Sequence, residues 1–171
     1  LGFLASFTKE EVFLELDDII KGEVKISRRS VIEIVSPNNS VFFPYALNDV
    51  TISRKETTAM ITVESYINGE FLNVFWGDGV IISTPTGSTA YSLSGGGPIL
   101  NPALNAMVLT PMFPHTLSSR PLVVSADSTI RLRIAPSNDE GLEVSCDGHV
   151  SLPVMPGDDV VLSKHHQPLK L

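Results

Sequence analysis

Cysteine occurs once in these 171 residues, tryptophan once, and Lys and Arg together number only 12 against 19 Asp and Glu. Each shortage excludes something. A lone Cys146 cannot close an internal disulfide, so the chain must be held by its core, and a reducing cytoplasm is the compartment expected of it. A formal net charge of −7 argues against nucleic acid or an anionic membrane as the main partner, since both need a clustered basic face. No apolar run approaches the ~20 residues that span a bilayer, and no signal peptide is visible. The four histidines, His115, His149, His165 and His166, lack zinc-ligand spacing with any other ligand, so no metal site is expected in the chain itself. No Gly-Lys-Ser/Thr follows a Gly-rich loop, and Gly77-Asp78-Gly79 lacks the third glycine of a dinucleotide fingerprint. There is no Gly-x-Ser-x-Gly elbow of a serine hydrolase.

What is present is a chain of one-domain length, 43% hydrophobic, able to bury a core without staples. One helix is predicted from about Lys9 to Lys21. Thr8 and Glu11 form a capping box, Val12, Leu16, Ile19 and Ile20 recur at helical spacing, and Gly22 stops it. After Gly22 the chain reads as short strands: 24–27, 31–35, 59–67, 70–75, 80–83, 122–125, 129–134, 142–147 and 159–162, with another after Asn48-Asp49. Asn68-Gly69 between two such runs predicts a type I′ hairpin. The fold class expected is mainly β, an antiparallel sandwich-like domain with one clear N-terminal helix and a short helix in a central loop. The opening strip Leu1-Gly2-Phe3-Leu4 has no cap or tail and is read as a cut inside a longer protein.

Residues 77–102 break the strand rhythm with a dense run of glycines and hydroxyls. Gly87 lets backbone approach a ligand, and Ser88 is expected to cap a short helix over Thr89–Leu93 whose free N–H groups face an anion. Thr86, Thr89, Ser92 and Ser94 add hydroxyls, and Tyr91 adds a ring for stacking. The competing reading is a Ser/Thr-rich turn. Asn48-Asp49 can grip ribose hydroxyls or an amide, or make an Asx turn. Asp78 and Asp147 each sit beside a glycine at a strand end, where a single acid is commonly a turn residue. Cys146 is expected as a buried small hydrophobe. His115 reads better as a structural hydrogen-bonder than as a catalyst, and His165 and His166 as solvated.

Four blocks, in order along the chain, resemble the NAD kinases, particularly the bacterial ones: Leu1–Leu4, Ala46-Leu47-Asn48-Asp49, Asp78-Gly79 through Pro98, and Thr110 through Pro121. The resemblance implies that residues 1–171 are the C-terminal NAD-binding domain of an enzyme that phosphorylates the adenosine 2′-hydroxyl of NAD with ATP and Mg²⁺, giving NADP. It implies a homo-oligomer, dimer or tetramer. By positional match Asn48, Asp49, Asp78, Thr86, Thr89, Ala90, Tyr91, Ser92, Leu93, Ser94, Phe113 and His149 would bind NAD. Asn48 and Thr86–Thr89 suit the adenosine half, and Asp78 and Tyr91 the nicotinamide half. Two departures stand out. The family's Gly-Gly-Asp-Gly motif, source of the catalytic acid, is absent from these residues, which implies no turnover by this chain alone. Asp147-Gly148-His149 stands where relatives commonly carry Asp-Gly-Gln. A relative of the lipid or diacylglycerol kinases, or a non-catalytic nucleotide-binding module, is the alternative.

Overall fold

A computed structural model describes residues 8–14, 16–23, 25–35, 44–55, 59–116, 119–139 and 141–171. The Leu1–Leu4 strip, Val24, the apolar Val41-Phe42-Phe43 and the Leu117-Ser118 pair lie outside them.

Two antiparallel six-stranded sheets share one apolar core. The first runs β3 (Tyr45–Ala46), β2 (Ile32–Val35), β13 (Asp159–Lys164), β10 (Ile130–Ile134), β5 (Ile61–Ile67), β6 (Glu70–Gly77). The second runs β12 (Val150–Val154), β11 (Leu142–Cys146), β4 (Asp49–Arg54), β7 (Gly79–Ser83), β8 (Ala106–Met112), β9 (Leu122–Ser125). A two-stranded ladder joins β1 (Arg28–Arg29) to β14 (Leu169–Lys170). Alternation does the sorting: Ile61 and Val63 of β5, Ile130, Leu132 and Ile134 of β10, and Val160 and Leu162 of β13 all turn inward. No described helix is long and apolar enough to cross a membrane.

The hairpin at Asn68-Gly69 has φ of 52° and 87°, the left-handed pair that a type I′ turn demands. The capping box also forms: the Thr8 amide donates to Glu11 Oε2 at 2.7 Å and the Glu11 amide to Thr8 Oγ1 at 3.3 Å. The helix is described as α1 (Lys9–Leu14) and α2 (Leu16–Lys21), with residue 15 outside the described set. Its apolar face remains exposed, from 38% at Val12 to 75% at Ile20.

Strands β8 and β12 are not anticipated from sequence, and proline explains both. Pro111 sits in β8 beyond the point where the β9 ladder ends at Leu109, and Pro153 lies on the edge strand β12. In each place a missing N–H costs no ladder bond. His165 is a correction. It is not solvated: its ring packs between Tyr45 and His166, and Nδ1 lies 2.9 Å from Glu33 Oε2. His115 stacks on Trp76 and donates its backbone N–H to the Trp76 carbonyl, a structural role as expected.

Strand β7 is buried along its whole length because both faces are covered. Val80 and Ile82 enter the core shared by the sheets. Ile81 lies on the other face, under the central loop, where Ser92 bonds Thr110 and Gly95 sits close to both Ile81 and Thr110. This is why Val80-Ile81-Ile82 is a continuous apolar run. It is also what lays the hydroxyl-rich loop flat on the second sheet, with its start against Asn48.

Candidate functional site

Three segments far apart in sequence meet at one end of the second sheet. They enclose a cavity of about 290 Å³, with Asn48, Asp49 and Thr51 on one side, Ala90 and Tyr91 on another, and Asp147-Gly148 on the third. Asn48 and Asp49 are placed by the entry into β4, Ala90 and Tyr91 by the join between a 3-10 turn (Gly87–Thr89) and α3 (Tyr91–Ser94), and Asp147 by the tight turn after β11. Asn48, expected at the adenosine half of the ligand, and Tyr91, expected at the nicotinamide half, thus share one cavity with Asp49 and Ala90. Tyr91 keeps about half its surface open. Among the described residues that line it none is cationic, so the cavity favours uncharged polar groups or a cationic ring over a bare phosphate.

The remaining expected residues are placed elsewhere. Asp78 pairs with Arg54 at 3.1 Å and donates its N–H to the Met112 carbonyl, outside the cavity lining. Thr86 is buried, and its carbonyl accepts the Thr89 hydroxyl at 3.3 Å. The Ser92 hydroxyl is fully buried against Thr110, 2.9 Å away, so it faces the sheet. Leu93 and Ser94 lie on the exposed side of α3. Phe113 is highly exposed in a left-handed conformation, φ 43°, after β8. His149 is exposed in the turn beside Gly148. Ser88 is a correction. It caps nothing: its hydroxyl donates to the Pro85 carbonyl at 2.6 Å and accepts the Leu100 N–H at 3.0 Å, stitching the two ends of the loop together. The residues at the N-cap positions, Thr86 for the 3-10 turn and Ala90 for α3, make no side-chain cap bond either.

Of the lining residues, Thr51 has no place in the sequence reading, and Asp147 is expected there only as a turn residue. Thr51 follows Asp49 at the two-residue spacing that shares a strand face, a usable signal. Asp147 does sit in a turn, but its partners could not be read from sequence, because what it holds lies about a hundred residues earlier. Its Oδ2 accepts the Leu47 N–H at 2.8 Å, and its Oδ1 accepts those of Asn48 at 2.7 Å and Asp49 at 3.0 Å. Its own N–H donates back to the Asp49 carbonyl at 2.9 Å. The residue manages this in the left-handed region, φ 49°.

The electrostatics follow from that crowding. Burial, and then the charge of Asp147, push the Asp49 carboxyl up to about 6, against the backbone N–H of Tyr91, which favours the ionised form. Burial likewise pushes the Cys146 thiol up to about 11, with Asp147 and Asp49 adding to it. Cys146 is a free, buried cysteine as expected, and the native protein should resist alkylation by iodoacetamide near neutral pH, reacting only once unfolded. Rapid native labelling in a mass-spectrometric time course would show otherwise.

Gly87 packs on the backbone of Asn48, behind the segment that lines the cavity. A Cβ built on it would stand 1.9 Å from the Asn48 carbonyl oxygen and 2.3 Å from its carbon, so only glycine allows the loop to lie against this segment.

The residues 47–171 match the family model of the ATP-NAD kinase C-terminal domain. Over its full length the chain is 47% identical to an NAD kinase of Pseudoalteromonas translucida and covers 59% of that protein. It is 48% identical to an NAD kinase of Photobacterium profundum, again covering 59%. Among solved structures, yeast NADH kinase complexed with NADH superposes with a TM-score of 0.90 at 32% identity, over 99% of this chain and 50% of that one. An NAD kinase from Archaeoglobus fulgidus in complex with ATP superposes at 0.84 and 25% identity, over 99% and 63%. The chain thus spans about three-fifths of the curated relatives it matches. Its central loop, its paired six-stranded sheets and these matches agree, and the chain belongs to the ATP-NAD kinase family through that family's C-terminal domain.

Proposed function

We propose that this chain supplies the NAD-binding part of an NAD kinase, which transfers the γ-phosphoryl group of ATP to the 2′-hydroxyl of the adenosine ribose. The observation that carries this reading is the convergence of Asn48, Asp49 and Tyr91 on one cavity whose described lining residues include no cation. An amide and a carboxylate side by side can donate to and accept from ribose hydroxyls, and a half-open ring can cover a planar base. The 290 Å³ volume suits one nucleoside end of the dinucleotide, with the rest running outward over the exposed faces of Leu93 and Ser94. The likeness to a kinase complexed with NADH supports the same ligand class. Mg²⁺ enters this reading as the companion of ATP. Among the described residues no group of three or more His, Cys, Asp or Glu could hold a metal ion, and we assign it no ligand in this chain. The homo-oligomer implied by the family finds support in the edge strand β6, which leaves Phe71, Val74 and Trp76 exposed. A cytoplasmic location belongs to the same reading.

The test is calorimetric titration of NAD into the protein and its Asn48→Ala variant. Losing the amide should weaken NAD by about 1–3 kcal/mol, the cost of leaving a buried partner unpaired. Equal affinity in both, with equal melting temperatures, would return Asn48 to the role of a turn residue and remove the reading's main support.

A further inference from the structure

We propose that Asp147 is the positioning residue of this cavity, the single carboxylate that sets the backbone of Leu47–Asp49 and, through those peptide groups, the turn that carries Ala90 and Tyr91. This rests on the NAD-binding reading above and adds to it a residue that touches the ligand's partners more than the ligand. The links are continuous. The carboxylate accepts the N–H groups of Leu47, Asn48 and Asp49 at 2.8, 2.7 and 3.0 Å. The carbonyls on this segment then point the other way, into the loop. Leu47 O accepts the Thr84 hydroxyl at 2.6 Å, and Asn48 O accepts the Thr84 N–H at 2.9 Å. Thr84 Oγ1 in turn accepts the Gly87 N–H at 3.0 Å, where the 3-10 turn begins. Gly87 packs directly on the Asn48 carbonyl.

Physically this is a chain of peptide dipoles polarised by an ion at one end. A carboxylate accepting N–H groups strengthens the carbonyl of each polarised peptide unit as an acceptor, and hydrogen bonds in series reinforce one another. The three donors are consecutive, so the carboxylate dictates the local backbone angles of the segment that presents Asn48 and Asp49. Both halves of the cavity wall then refer to one group. Asp147 is itself anchored, by its N–H to the Asp49 carbonyl and by the Asp-Gly turn after β11.

The test uses Asp147→Asn, which keeps the shape and one acceptor oxygen but removes the charge and the second acceptor, and Thr84→Val, which cuts the chain at its far end. In amide NMR spectra, Asp147→Asn should shift the Leu47, Asn48 and Asp49 N–H resonances. It should also shift those of Thr84 and Gly87, which do not touch Asp147. NAD affinity should fall on the order of tenfold in Asp147→Asn, the equivalent of one good hydrogen bond, and measurably in Thr84→Val. Thr84 and Gly87 resonances that stay in place in folded Asp147→Asn would overturn the relay. So would parental NAD affinity in Thr84→Val, a result that decides the matter even if Asp147→Asn does not fold. Should the parent protein itself bind no NAD, the NAD reading fails, while the movement or stillness of the Thr84 and Gly87 amides still decides the positioning role.

Discussion

Gly87→Ala is expected to be the most damaging small substitution in the molecule. The added methyl meets the Asn48 carbonyl oxygen at 1.9 Å and its carbon at 2.3 Å, atoms of backbone that Asp147 and Thr84 hold from two sides. Neither partner can step aside as the end of a flexible side chain would. The loop must lift or β4 must shift, and overpacking of this kind costs about 3 kcal/mol or more. For a domain of this size that lowers the melting temperature by about 6–12 °C. NAD binding should disappear with it, since lifting the loop separates Tyr91 from Asn48. Gly69→Ala is the control: its φ of 87° makes alanine strained, but nothing lies within 4 Å of the new methyl. It should cost about 1 kcal/mol and leave NAD binding alone. A thermal melt and an NAD titration on each variant decide the point. If Gly87→Ala melts no lower than Gly69→Ala, the loop is not pressed against Asn48.

Asp49→Asn is expected to do the reverse for stability. An aspartate has an ordinary pKa near 3.9, and burial beside Asp147 raises that of Asp49 to about 6. The folded state therefore binds this proton more tightly than the unfolded state. Its stabilising effect is complete below about pH 4 and is lost as pH rises through 6. At pH 7 the buried charge is a liability of at most about 3 kcal/mol, reduced by whatever solvent reaches the cavity. Asparagine removes the charge and keeps an acceptor for the Tyr91 N–H. The variant should melt about 2–8 °C higher at pH 7 and should lose the decline in stability between pH 4 and 6. It should also bind NAD less well if the carboxylate accepts ribose hydroxyls. Such an exchange of stability for binding is common where a site keeps an ill-solvated charge. A variant that melts lower at pH 7 would mean the ionised carboxylate is better satisfied than its surroundings suggest.

Local chemistry carried much of this architecture into the sequence. The Asn-Gly hairpin, the Thr8–Glu11 capping box and the alternation of β5, β10 and β13 depend on neighbours a few residues apart, and all three can be recognised without a structure. The pairing of strands cannot. β4 joins β11 across roughly ninety residues, and no local rule names that partner. The site divides in the same way. Asn48 and Tyr91 were visible because their residue types stand out against strands. The roles of the loop's serines were not, since composition cannot tell a hydroxyl that faces a ligand from one that faces a sheet. Ser88 and Ser92 turn inward because the loop lies on a buried face that leaves backbone carbonyls and the Thr110 hydroxyl needing partners. Asp78 shows another limit: its pair with Arg54, twenty-four residues earlier, follows from strand pairing that no local rule names.

The place of β13 in the first sheet bears on how such a chain is made. Residues 159–164 lie between β2, from the first fifth of the chain, and β10. Until a ribosome has released that last long strand, the first sheet has a gap in its middle, and β2 has no neighbour except the two-residue β3. Folding in step with synthesis therefore stalls short of a native core. A topology this rich in distant pairings closes slowly, with unpaired strand edges exposed while it waits. A nascent chain stalled before Asp159 should be sensitive to protease along β2, and the same chain released with β13 in place should not.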